Sequence, residues 1–369
     1  MSAPPVNLMR RIRADVQAMH AYVVQDASGM VKLDAMENPH TLSPALQAEL
    51  GQRLGVLALN RYPAGRIHDL HQALTTYAPV PEGFALTLGN GSDELISMLA
   101  LACSVPPSAA NDFKKAVVLA PVPGFVMYGM SAQLQGLDFV GVPLTADFEL
   151  DEAAMLTAIA MHQPAITYLA YPNNPTANLW NDEVIEKVIL AAGEQGGLVV
   201  LDEAYQPFAS HSYLKRLTRH THVLLLRTLS KFGLAGVRLG YLIGPAALVA
   251  EIDKVRPPYN VSVLNCEAAL FALEHQGVFS AQALDICAQR ALIFEALAKL
   301  SQVTAFPSHA NMLLVRVPDA QKTFDGMAAR GVLVKNVSRM HPLLAQCLRL
   351  TVGTAAENRL MLTALEASL

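Results

Sequence analysis

The chain has 369 residues, of which 52% are hydrophobic and 16% charged, with a formal net charge of −4. So apolar a composition excludes a disordered chain and implies surface buried between subunits, which points to an oligomer. The small negative charge gives no electrostatic footing for nucleic acid. Cys103, Cys266, Cys287 and Cys347 have no paired spacing, as expected in a reducing compartment. Arg10, Arg11 and Arg13 are not followed by the apolar block of a secretory signal. No apolar run has the length needed to cross a bilayer, so the expected location is the cytoplasm.

Taken in chain order, strands are predicted at Ala85–Leu88, Ala116–Ala120, Asp138–Val142, Ile166–Ala170, Leu198–Leu201, Val223–Leu226 and Gly240–Ile243. Helices such as Glu94–Cys103, Glu152–Met161 and Asp182–Ala192 fall between them. This alternation predicts an α/β fold with a mostly parallel sheet covered by helices on both faces. After Arg256-Pro257-Pro258 the pattern changes to a long helix (Leu284–Leu300), a strand (Met312–Val317) and a helix near Phe324–Arg330. Strands at Val332–Lys335 and Leu348–Val352 and a final helix from Glu357 follow. The expected division is an N-terminal arm (1–40), a large domain (41–255) and a smaller α+β domain (256–369) that the arm helps complete.

Several strand ends carry chemistry. After the first strand, Gly89-Asn90-Gly91-Ser92-Asp93 can turn tightly, cap a helix and offer free N–H groups to an anion. Tyr171-Pro172-Asn173-Asn174-Pro175 is a proline-stiffened loop that aims an amide, or a plain turn. Asp202 ends the strand Leu198–Leu201 and either faces a ligand crevice or caps the next turn. Past Val223–Leu226 comes Ser230-Lys231, with Arg238 beyond a glycine-containing turn. A partly desolvated lysine loses its proton near neutral pH and attacks a carbonyl, while hydroxyl and guanidinium groups suit a phosphate on the same molecule. The combination points to a lysine carrying pyridoxal phosphate, whose ring nitrogen Asp202 would keep protonated. Arg349, on the strand Leu348–Val352, needs either an anionic ligand or an internal ion pair. His68 with His71, and His220 with His222, lack further ligands at useful spacing, so no metal site is expected.

These segments resemble fold-type I pyridoxal-phosphate transferases, and Arg227–Arg238, Asp202–Phe208 and Cys347–Asn358 are most similar to histidinol-phosphate aminotransferases. The resemblance spans about residues 22 to 359 and implies a large domain, whose mostly parallel sheet is sandwiched by helices, plus a small α+β domain. It implies that Lys231 holds the cofactor, that Gly91, Ser92, Asp93, Ser230 and Arg238 grip its phosphate, and that Asp202 pairs with its ring nitrogen. Asn174 and Tyr205 would contact the ring oxygen, and Tyr128 would stack on the ring. Tyr62, in Arg61-Tyr62-Pro63, would reach the phosphate held by a neighbouring subunit, making a homodimer with shared sites. Tyr22 and Asn38 would line the substrate mouth, and Arg349 and Lys335 would bind its anionic groups. Three positions depart from the family pattern: Ala177 replaces a glycine, Lys335 replaces an arginine, and Arg238 follows Lys231 by seven positions, one fewer than is common. The implied reaction is transamination between L-histidinol phosphate and 2-oxoglutarate in histidine biosynthesis. Aromatic amino acid aminotransferases and threonine-phosphate decarboxylases share the cofactor residues and remain alternatives. A catalytically silent cofactor-binding regulator is a weaker one, because Lys231 is intact.

Overall fold

A computed structural model describes residues 10–19, 21, 25–104 and 115–369. Twelve helices are described: α1 (Ala14–Ala18), α2 (Pro44–Gly55), α3 (Ala64–Tyr77), α4 (Ser92–Ala102), α5 (Met127–Gln135), α6 (Glu152–His162), α7 (Asp182–Glu194), α8 (Ala246–Asp253), α9 (Val263–Glu274), α10 (Gln276–Leu297), α11 (Ala320–Ala329) and α12 (Ala355–Glu366). Strands β2 (Phe84–Gly89), β3 (Val117–Val122), β4 (Asp138–Pro143), β5 (Ile166–Ala170), β6 (Leu198–Asp202), β7 (Val223–Thr228) and β8 (Gly240–Pro245) form one seven-stranded sheet, in the order β2-β8-β7-β6-β5-β3-β4. Within it β8 alone runs against its neighbours, pairing antiparallel with β2 and β7.

The central strands read as continuous apolar runs because both faces are covered. Along β7, Val223 and Leu225 pack into one core with α3, α6, α7 and α9, while Leu224 and Leu226 pack into another with α4, α5 and α8. The two-residue period of the strand therefore feeds two separate cores. Helix α9 lies beyond the expected boundary at 255/256, yet Ala269, Leu270 and Leu273 still pack on the large core beside Leu70 and Leu74 of α3.

A second, antiparallel sheet orders β12 (Lys335–Asn336), β13 (Cys347–Thr351), β10 (Met312–Arg316) and β9 (Thr304–Ala305). Its core combines Met312, Val315, Leu348 and Leu350 with Ile286 and Ile293 of α10 and Met361 of α12. The N-terminal segment contributes β1 (Val31–Lys32), which pairs in parallel with β11 (Val332–Leu333). The single strand expected at Val332–Lys335 is thus two short ones serving different partners, since Lys335 pairs with Arg349 of β13. Helix α12 starts before the expected Glu357 because Thr354 and Glu357 close a capping box: Glu357 N donates to Thr354 Oγ1 (3.3 Å) and Thr354 N to Glu357 Oε2 (2.7 Å). Among the described residues no helix is long and apolar enough to cross a membrane.

Candidate active site

The carboxyl ends of β2, β3, β5, β6 and β7 share one edge of the large sheet, where open α/β folds gather their ligands. Past Thr228 the chain makes a wide helical turn over Ser230–Leu234, broken at Gly233 (φ 138°). A Cβ at Gly233 would stand 2.8 Å from Phe279 Cδ1 and 3.0 Å from Asn38 Nδ2, so only glycine allows the chain to double back here. The reversal brings Ser230, Lys231 and Arg238 together. Lys231 Nζ donates to the carbonyl of Ala35 (3.1 Å) and lies 5.8 Å from the centre of the Tyr205 ring. Burial, reinforced by the charges of Arg349 and Arg238, pushes its amine down to about 8. At pH 7 about one molecule in ten then carries the neutral amine, against about one in three thousand for an ordinary lysine.

Arg238 Nη1 donates to Ser230 Oγ (3.3 Å) and Nη2 to Asp93 Oδ2 (3.2 Å), so the shortened spacing after Lys231 does not keep the guanidinium from this group. Ser230 Oγ also accepts from Thr228 Oγ1 (3.0 Å). Gly91, at φ 80°, leads directly into α4 with no side-chain cap, leaving the first N–H groups of the helix available. A Cβ on Gly91 would sit 2.6 Å from Arg238 Nη2, and one on Gly240 would sit 2.7 Å from Ser92 N. Two glycines thus keep open a concavity edged by helix N–H groups, a hydroxyl and a guanidinium, which suits a phosphate.

Asp202, 4% exposed at the end of β6, has both oxygens engaged. Oδ2 accepts from the Tyr128 hydroxyl (2.7 Å) and Oδ1 from Ala204 N (3.0 Å). Burial raises its carboxyl to about 6, and these two bonds hold it from going higher. The two asparagines after β5 divide their work. Asn173 Nδ2 donates to Pro123 O (3.0 Å) and Thr176 Oγ1 (2.7 Å), tying this loop to the one after β3. Asn174 Oδ1 accepts from Arg349 Nη1 (2.8 Å), which leaves its Nδ2 as a donor at the cavity. Arg349 Nη2 donates to Asp34 O (2.7 Å). Ala177 takes the left-handed conformation (φ 63°), the geometry that a glycine would adopt without strain.

These groups line a cavity of about 120 Å³ that brings together Ser92, Asp93, Tyr128, Asn174, Asp202, Tyr205, Ser230, Lys231 and Arg238, with Gly91 beneath them. Phe125 and Met36 also line it. Phe125 stands in the same Pro-Gly-Phe-Val-Met-Tyr stretch as Tyr128, so the signal was present but shared between two aromatics. Other expected residues lie elsewhere. Tyr62 is 72% exposed and stacks on Tyr259 at 4.2 Å, away from this cavity. Asn38 donates to Gln282 (2.9 Å) and accepts from His40 N (2.9 Å) rather than lining it. Lys335 sits opposite Arg349 in the sheet but lines a separate polar recess with Gln25 and Arg339. Tyr22 lies outside the described residues. His220 and His222 have packing partners: Glu186 Oε2 and Ile189 O, each at 3.0 Å.

A partly buried lysine with a lowered amine pKa, an anion concavity and a carboxylate at the edge of such a sheet define a fold-type I pyridoxal-phosphate transferase. The chain belongs to the aminotransferase class I and II family, whose pattern matches residues 28–365. It is similar to the histidinol-phosphate aminotransferase of Polaromonas naphthalenivorans (strain CJ2), 70% identical over 362 residues covering 98% of this chain and 97% of that one. The protein of the same name from Acidovorax sp. (strain JS42) is 66% identical over 376 residues, covering 100% of both. Among solved structures, histidinol-phosphate aminotransferase from Sinorhizobium meliloti in complex with pyridoxal-5'-phosphate superposes with a TM-score of 0.80 at 25% identity, over 96% of each chain. The residues present fit that cofactor. The space that a Cβ at Gly91 would fill suits its phosphate, Asp202 its ring nitrogen and Lys231 its aldehyde.

Proposed function

We propose that this chain transfers an amino group between L-histidinol phosphate and 2-oxoglutarate, giving imidazole acetol phosphate and L-glutamate, as a step of histidine biosynthesis. The observation that carries this reading is the placing of the Lys231 amine among Asp202, the Gly91–Arg238 concavity and the Arg349–Asn174 pair. Bound there, pyridoxal phosphate supplies an aldehyde carbon and an electron-accepting ring. Lys231 Nζ would hold that aldehyde and, as a free amine, would move the proton at the substrate α-carbon as base and then acid. Ser92, Ser230, Arg238 and the N-terminal N–H groups of α4 bind the phosphate, with Asp93 orienting Arg238. The Asp202 carboxylate keeps the ring nitrogen protonated. Asn174 Nδ2 and the Tyr205 hydroxyl would hold the ring oxygen, and Phe125 would supply an apolar wall for the ring.

Arg349 takes the carboxylate of the glutamate pair or the phosphate of the other substrate. A homodimer would complete the site through Tyr62. Support comes from its exposure (72%) and from that of Val56 (85%) and Leu59 (66%) a few residues earlier in the chain, apolar side chains that a second copy would cover. The four free cysteines favour the cytoplasm. Turnover of histidinol phosphate against phenylalanine, with 2-oxoglutarate as acceptor, tests the substrate. Histidinol phosphate is expected to be preferred by orders of magnitude in kcat/KM, and a preference for phenylalanine would overturn the assignment.

A further inference from the structure

We propose that Tyr128 works as a positioning residue for Asp202, fixing the carboxylate that meets the cofactor's ring nitrogen, rather than as the aromatic that covers the ring. The inference rests on the role given to Asp202 above. Tyr128 is 2% exposed, and its hydroxyl donates to Asp202 Oδ2 at 2.7 Å. Its ring lies flat on Tyr168, with centroids 4.2 Å apart and planes 6° from parallel, and meets Phe125 edge-on at 5.6 Å and 85°. One face and one edge are thereby occupied, so the ring cannot swing without losing the stack, and the direction of its hydroxyl is set. Ala204 N holds the other carboxylate oxygen at 3.0 Å. Two donors from different elements, α5 and the turn after β6, thus fix the carboxylate plane while leaving further lone pairs for a third donor from the cavity.

A carboxylate restrained in this way meets a ring N–H without reorganising, and this preorganisation is lost when the phenol is deleted. Tyr168 supplies the platform without touching Asp202. Its own hydroxyl is buried with no hydrogen-bond partner among the described residues, so its contribution to Tyr128 is made through the ring face.

The test measures the affinity of cofactor-free protein for pyridoxal phosphate and for its 1-deaza analogue, which has carbon in place of the ring nitrogen. Tyr128→Phe keeps the stack and removes the hydroxyl. It should weaken pyridoxal phosphate about tenfold, the worth of one hydrogen bond to a charged group, and leave the analogue within twofold. Tyr168→Phe should change neither ligand. In steady state, Tyr128→Phe should lower kcat more than it raises KM for the amino donor. Equal weakening of both ligands by Tyr128→Phe, or no weakening of either, would overturn the positioning role. Asp202→Asn is the control for the underlying reading. If it too fails to distinguish the ligands, the assignment of Asp202 falls. If it distinguishes them while Tyr128→Phe does not, only the inference about Tyr128 falls.

Discussion

Lys231 should keep the cofactor-free protein less stable than it could be, and Lys231→Met should release that penalty. Burial, then the charges of Arg349 and Arg238, bring its amine from 10.5 down to about 8. The folded chain therefore holds this proton less tightly than the unfolded chain does. The penalty is complete below about pH 8, fades as the pH rises from there to 10.5, and is absent above that. A displacement of that size corresponds to about 3 kcal/mol at pH 7. Methionine has a similar length and no charge, but it leaves the Ala35 carbonyl without its 3.1 Å bond. That loss costs about 1 kcal/mol. Urea unfolding of the cofactor-free variant at pH 7 should therefore give a gain of about 2 kcal/mol, falling to zero near pH 10 and turning into a loss of about 1 kcal/mol well above pH 10.5. A variant no more stable than the parent at pH 7, or a difference independent of pH, would refute the reasoning.

Arg349→Gln removes a charge that helps lower Lys231, so the pH midpoint for cofactor capture by the free protein should move upward. KM for the acidic substrates should rise at least tenfold, as expected on losing a charge-assisted contact. An unmoved midpoint would show that the two groups do not communicate. Glu203→Gln breaks a buried pair, since Arg227, 6% exposed, donates to Glu203 Oε2 through Nε (3.1 Å) and Nη2 (2.8 Å). Stability in urea should fall by about 3 kcal/mol or more, and a loss below about 1 kcal/mol would contradict the buried-pair account. Gly91→Ala forces a Cβ to within 2.6 Å of Arg238 Nη2 at φ 80°. Equilibrium dialysis should show pyridoxal phosphate binding weakened at least tenfold, and unchanged affinity would mean that the concavity does not hold the phosphate.

Most of the large sheet was legible because its strands are short β-branched runs bounded by turn residues, and β5 matches its expected span residue for residue. Helix α2 was not singled out, although Ser43 caps it and Pro44 opens it, a start signal visible in the sequence. Helix α10 begins at Gln276, well before the expected Leu284, because it continues from α9 with no side-chain cap to mark the junction. The cofactor motifs were readable since each is a short segment at a strand end. Pairings across the chain were not. The Asn174–Arg349 bond joins positions 175 apart, and no local pattern announces it. Nor could spacing tell that Tyr128 would turn its hydroxyl onto Asp202, 74 positions further along the chain.

The 2.8 Å contact between Asn174 and Arg349 joins the loop after β5, at the edge of the large sheet, to a strand of the small one. On the proposed roles, an acid that draws the guanidinium toward itself would loosen an amide whose other end meets the ring, so recognition and chemistry would share a single linkage. Thermodynamic reciprocity then requires that filling the ring site change affinity for the acid by the same factor that the acid changes affinity for the ring.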